Sequence, residues 1–174
     1  IATNSAANYG PLFVSDTPLT PGVTYTFGTF NTDGATTYSS LVPCFTSGTS
    51  ITTIKGEKPI DDLNEGDLVL TRDNGFQPLR WIGKRTVPAK GNVAPISIAK
   101  GVLGNDRGLL VSPNHRMLIT SSTAELYFGE REVLVSAKHL TTMGGITCQT
   151  GGHVTYVHIL FDEHQIVVSN GAFS

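Results

Sequence analysis

The chain of 174 residues carries 12 basic and 14 acidic side chains, a formal charge of −2 and a pI near 6.2. Its basic residues are scattered apart from "RWIGKR", which leaves no electrostatic footprint for nucleic acid or anionic lipid and excludes both as expected partners. A hydrophobic fraction of 39% with 15% charged residues, 19 Gly and 9 Pro favours many short strands joined by tight turns over long helices, an all-β class.

The length suits one main domain with a real core plus an appendage. From residue 1 to 42 the chain is rich in Thr, Ser, Asn, Gly and aromatics, nearly without charge, and "GVTYTFGTF" alternates as a strand does. Its alternating aromatics need cover, so this arm is expected to pack as extended chain against the body that follows. The N-terminus lacks the charged and apolar regions of a signal peptide, as in an excised piece of a longer chain. No apolar run reaches membrane-spanning length.

The texture changes at Pro43. Charged residues enter, and strand signals recur at "TSITTI", "DLVLT", "LRWIG", "APISIA", "GLLVS", "RMLIT", "EVLVS" and "VTYVHILFDEHQIVV". "KGEKP" and "TGG" read as turns, and Asn74-Gly75 as a type I′ hairpin candidate. Only "VLVSAKHLTTM" is expected to carry a short helix, and no repeat of solenoid period exists.

Cys44 alone reads more readily as a small buried hydrophobe than as a nucleophile. A conventional multi-turnover cysteine hydrolase is disfavoured, because no helix-start signal surrounds it. In "HILFDEH" a continuous strand would project His158, Asp162 and His164 on one face, half of a metal site or a proton relay. Positions four apart on a strand lie roughly 13 Å from each other, too far to chelate one ion, so no metal and no cofactor is expected. His158 is open between a role near the nucleophile and that of a satisfied polar group on the sheet. His139 and His153 read as solvated turn residues. Cys148 reads as an isolated thiol, favoured over a disulfide to Cys44 that would lock the nucleophile off.

Four segments in fixed order change the weight of Cys44: "CFTSGTSI", "KGEKPIDDLNEGDLVLTRDNG", "VSPNHRMLI" and "HILFDEHQIVVSNG". This series resembles the Hint (hedgehog/intein) domain, most closely the bacterial intein-like forms, and covers Cys44 to Gly171. The resemblance implies a Hint/intein-like horseshoe of short twisted strands with pseudo-two-fold halves over residues 44–174, and an upstream, extein-like flank over 1–43. It matches Cys44 to the first residue of the domain, Gly66-Asp67 to a strand-turn element, Ser112-x-x-His115 to a Thr-x-x-His block, and His164 to the late histidine.

It also implies a chemistry. A cysteine whose amide nitrogen belongs to the preceding peptide bond can attack that bond's carbonyl through a five-membered ring, leaving a thioester at Pro43. His115 is expected to deliver a proton to the departing nitrogen, Ser112 to donate to the oxyanion, and Asn170 to lie near Cys44 as a hydrogen-bond donor. The substrate is then the chain's own flank, cut once in cis, and an external amine or thiol, or water, releases it. A monomer is expected.

The pattern departs from its family in three places. Asn170-Gly171 aligns with an internal "NG" and not with a terminal Asn, which argues against splicing. "LRWIGKRTV" lacks the acid of the sterol-transferring branch. Pro43 restrains the carbonyl that must be attacked. The rival reading is a degenerate Hint domain kept as a structural module of a secreted or surface protein. The sequence fixes no compartment, and the resemblance leans towards a secreted or cell-surface bacterial host.

Overall fold

The computed structural model describes residues 43–174. The expected strand-like arm over residues 1–42 lies outside the described residues. Those that follow are mostly strand, and every strand pairing among them is antiparallel. The first half contributes β1 (Phe45–Thr46), β2 (Ser50–Thr53), β3 (Gly56–Pro59), β4 (Leu68–Thr71), β5 (Gly75–Pro78), β6 (Trp81–Pro88) and β7 (Ile96–Ile98). The second contributes β8 (Leu109–Val111), β9 (Arg116–Thr120), the helix α1 (Ser122–Phe128), β10 (Glu132–Ser136), β11 (Ile146–Cys148), β12 (His153–Leu160), β13 (Val168–Ser169) and β14 (Ala172–Phe173).

One six-stranded sheet runs β11-β7-β8-β1-β12-β6 and a second runs β14-β13-β2-β4-β5, with β3 paired to β2; β9 and β10 form a ribbon of their own. The all-β class therefore holds. The core collects the apolar, largely β-branched positions of both sheets, among them Ile51, Val69, Ile98, Leu109, Val111 and Val157, all fully or almost fully buried.

The structure differs from the sequence expectations at several points. "KGEKP" supplies a strand, because Gly56–Pro59 pairs along β2. The β4–β5 hairpin closes Thr71 against Gly75, with three residues between them and the positive φ of 63° at Gly75 alone. That is a three-residue loop ending in a left-handed glycine, not the two-residue type I′ turn. "VLVSAKHLTTM" splits into the end of β10 and a 3-10 turn at Ala137–Leu140. The helix lies instead at Ser122–Phe128, where the Ser121 hydroxyl accepts the Ala124 N–H and Gly129 ends it in the left-handed region. The final run breaks too: β12 ends at Leu160, and the chain turns before Val168. His158, Asp162 and His164 consequently share no strand face.

Asn170 staples the two large sheets. Its side chain accepts the Ser50 N–H at 2.8 Å and donates to the Gly108 carbonyl at 2.8 Å, while its main chain bonds Ser50 and Asp106. It is 4% exposed, with a φ of 45°. Replacing Asn170 with Ala would orphan the buried Ser50 N–H and the part-buried bond to the Gly108 carbonyl, and place a Cβ residue without local hydrogen bonds in the left-handed region. The expected cost is about 3 kcal/mol or more, and Asn170→Gly should recover only the roughly 1 kcal/mol backbone part. Urea denaturation midpoints of the two variants check this order.

Candidate active site

Strand register builds the site. In β1, Phe45 faces Val111 on β8 and Val157 on β12. One step back along an antiparallel pair is one step forward on each neighbour, so Cys44 stands between Ser112 and His158. Side chains directly opposite share a face. Cys44, Tyr156 and His158 therefore lie on one side of the sheet, and Phe45 turns to the main core.

The contacts follow that placement. The Cys44 N–H donates to Ser112 Oγ at 3.0 Å, and the Ser112 N–H donates to the Cys44 carbonyl at 2.9 Å. His158 Nδ1 lies 2.8 Å from the Pro43 carbonyl oxygen. A carbonyl oxygen only accepts, so Nδ1 carries the hydrogen in this contact. Both ends of the Pro43–Cys44 peptide bond are thus held, the oxygen by an imidazole and the nitrogen by a hydroxyl. Sequence reasoning left His158 open and set Ser112 on the oxyanion. The geometry gives the oxygen contact to His158 and the nitrogen contact to Ser112, a consequence of which neighbour strand lies on which side.

His115 packs its ring against Phe45 at a centroid separation of 4.4 Å and is 4% exposed; among the described residues neither ring nitrogen makes a hydrogen bond of good geometry, though the ring lies close enough to the Cys44 main chain to feel it. Its main chain is pinned: its N–H bonds the Ser112 carbonyl, and its carbonyl accepts the Ala137 N–H. Burial pushes the His115 pKa down to about 3, against a weaker upward pull from the Cys44 main chain and a further downward push from His158. Burial thereby keeps His115 neutral at physiological pH. Burial lowers the His158 pKa as well, opposed by the bond to Pro43.

The Cys44 thiol sits among Val87, Ala89, Val154 and Tyr156, and burial pushes its pKa up to about 11. Cys148 is free and exposed, and Cys44 is free and buried. Burial leads the rise in the Tyr156 pKa, and its hydroxyl donates to the Val93 carbonyl at 2.9 Å.

His164 is exposed in the loop after β12, on the wall of a cleft of about 320 Å³ that Pro43, Phe45, His115, His158 and Leu134 also line. Asp162 pairs with Arg80 at 2.7 Å. Asn170 spends both side-chain amide groups on Ser50 and Gly108, so its expected donation to Cys44 is replaced by the staple between sheets. Asp67 takes the Lys58 ammonium and the Asn64 N–H, which hold its carboxyl below the usual carboxylate range. His139 and His153 are exposed, the latter opening β12. No cluster of three or more metal-ligating side chains occurs among the described residues.

A Hint domain family model matches residues 43–174. No curated protein matches the sequence. Among solved structures, the chain is similar to the bacterial intein-like domain from Clostridium thermocellum, at 13% identity and a TM-score of 0.51, over 75% of this chain and 96% of that one. It is also similar to a class 3 split intein, the GSH-linked splice-inactive AceL NrdHF variant, at 15% identity and a TM-score of 0.51, over 75% of this chain and 95% of that one. A further match is the gp41-1 intein, at 14% identity and a TM-score of 0.49, over 76% and 98% of the two chains. The two similarities at 0.51 bear on the fold.

In the native protein iodoacetamide should alkylate Cys148 readily and Cys44 only after unfolding, as intact mass will read. The folded-state pKa of His115 lies below the ordinary 6.5. Its stabilising share is therefore complete above pH 6.5 and is lost as the pH falls from there towards about 3. Urea midpoints should drop across that window in the wild type and drop less in His115→Gln.

Proposed function

The chain belongs to the Hint domain family, and we propose that its residues 44–174 act once, in cis, to move the acyl group of Pro43 from the Cys44 nitrogen to the Cys44 sulfur. One observation carries this reading: a single peptide bond, the one before Cys44, has His158 on its oxygen and Ser112 on its nitrogen. An ordinary buried cysteine needs neither.

In the proposed reaction Cys44 Sγ attacks the Pro43 carbonyl carbon through a five-membered ring. Charge developing on the oxygen is met by His158 Nδ1–H, already at hydrogen-bond distance. The C–N bond breaks, the thiol proton ends on the freed amine, and Pro43 becomes a thioester. Ser112 Oγ holds the N–H direction and leaves the nitrogen lone pair open to the arriving proton. His115, buried and neutral beside the Cys44 main chain, delivers a proton to that nitrogen, and the thiol proton restores the balance.

Resting charge separation is costly here. A thiol raised to about 11 and an imidazole lowered to about 3 both favour the neutral pair over a thiolate–imidazolium pair. Proton movement is accordingly coupled to sulfur–carbon bond formation. The thioester is released by water or by an external amine or thiol, and the cleft beside Pro43 is wide enough to admit one. The upstream segment, residues 1–43, is the group transferred.

Hydroxylamine or dithiothreitol should split the chain between Pro43 and Cys44, with both fragments identified by mass. Cys44→Ala should abolish the cut, since no other side chain forms the five-membered ring. His115→Ala should slow it by about 10²-fold to 10⁴-fold. Pro43→Gly should accelerate it by freeing the carbonyl unit. An intact chain after prolonged hydroxylamine in both wild type and Pro43→Gly would transfer the assignment to a structural module.

A further inference from the structure

The imidazole on the Pro43 carbonyl stands on β12 opposite Gly83 of β6, and Trp81 of β6 stands opposite Leu160. Trp81 and His158 are thus diagonal neighbours on one face of the longest strand pair among the described residues. The indole does not stand away from the sheet. It folds back over Gly83, so that a Cβ built on Gly83 would meet the indole carbons at 2.1, 2.6 and 2.9 Å. The fold back brings the indole edge-on to His158, at 6.1 Å between ring centroids and 62° between planes. Together Trp81, Gly83, Tyr156 and His158 enclose the space beside Cys44.

We propose that Trp81, laid across Gly83, is a positioning residue that holds His158 with its Nδ1 hydrogen on the Pro43 carbonyl. This rests on the reading of Cys44 as the nucleophile at that carbonyl. Three observations meet in it. A glycine at position 83 leaves the room that the ring occupies, where any side chain would collide with it. A free imidazole in water favours the hydrogen on the other nitrogen, so the Nδ1–H form has to be imposed by its surroundings. An aromatic edge against the imidazole restricts its rotation and keeps water off the hydrogen bond to Pro43, where stray water would compete for the oxygen. Burial's downward pull on the His158 pKa agrees with such shielding.

The site thereby owes its geometry to a residue in "LRWIGKRTV", a stretch that brings no acid to the chemistry. Trp81 touches neither sulfur nor carbonyl in this account, and its effect passes through His158 alone.

The test uses the full chain in two forms. In the uncleavable Cys44→Ala chain, ¹⁵N chemical shifts at mildly alkaline pH should report hydrogen on Nδ1 of His158. Trp81→Ala should move the ring towards the Nε2–H form, Gly83→Ala should do the same by displacing the indole, and Trp81→Phe should largely restore the original tautomer. In the Cys44 chain, hydroxylamine cleavage should fall about 10-fold to 10²-fold in Trp81→Ala and Gly83→Ala, the scale expected when a reacting group is misplaced by about 1 Å, and recover in Trp81→Phe. Thr86→Val, which removes the exposed Thr86–Thr155 hydroxyl contact on the same strand pair, should change neither readout and so controls for loosening of the ribbon. An unchanged His158 tautomer in folded Trp81→Ala and Gly83→Ala would overturn the proposal, as would cleavage at wild-type rate. If the wild-type chain resists hydroxylamine while the tautomer still responds to Trp81, the acyl-shift reading fails and the positioning of His158 by Trp81 stands.

Discussion

Everything at the site depends on β1 being paired on both sides. A two-residue strand bonded to β8 and to β12 has no freedom of register, because a slip of one residue would turn Phe45 out of the core and expose the face that holds Val111 and Val157. That constraint fixes Cys44 opposite Ser112 and His158 without any direct attraction among the three side chains. The hydrophobic burial that holds Phe45, Ile98, Leu109 and Val157 in place is therefore also the force that aims a hydroxyl and an imidazole at one peptide bond. Core packing and the geometry around the Pro43–Cys44 peptide are one problem here, solved by strands too short to be stable alone.

Electrostatics in this setting work by exclusion. The site contains a cysteine, two histidines and a serine, yet in the resting state none of them is charged near neutral pH: burial raises the thiol and lowers both imidazoles. A neutral site costs less to bury than an ion pair, which would need compensation from further hydrogen bonds. It also leaves the oxygen of Pro43 as the place where new charge is best received, since a donor already points at it. A papain-like thiolate paired with an imidazolium would be reactive at all times. In the proposed reaction, the neutral arrangement around Cys44 would confine attack to the one carbonyl its own backbone presents, as a group acting once in cis requires.

Much of the fold was legible because its signals are local. Alternation and turn residues marked β2, β4, β7, β8, β9 and β10 closely, and the motif series from Cys44 to Gly171 carried the family. What escaped was set by distant partners. Gly56–Pro59 reads as a turn until β2 provides a ladder for it. The helix at Ser122–Phe128 had a capping serine before it and a glycine after it, a signal present but unused. In "HILFDEH" periodicity suggested one continuous face, while the strand ends at Leu160 and Asp162 is taken by Arg80. Asn170 was placed near the nucleophile by motif, and the structure spends it on Ser50 and Gly108. That role requires two segments far away in the chain, which no local pattern encodes.

The oxygen side of the peptide bond shows the same limit from another direction. Sequence left His158 open between a role near the nucleophile and that of a satisfied polar group on the sheet, and its position in the fold is compatible with either. It occupies a regular strand position opposite Gly83, and its side chain reaches back across the strand pair to Pro43. A proline at that point removes a backbone donor from the entering chain, but it leaves the carbonyl, the atom to which the imidazole is attached. Proline before Cys44 then has a double physical effect: its ring narrows the orientations open to the carbonyl, and those that remain are selected by a hydrogen bond from a histidine that a tryptophan keeps in place. In the proposed reaction the ring's restraint slows attack, because it limits how far the carbonyl can turn towards the approaching sulfur. Replacing the proline ring while leaving His158 and Trp81 untouched separates the restraint from the hydrogen bond.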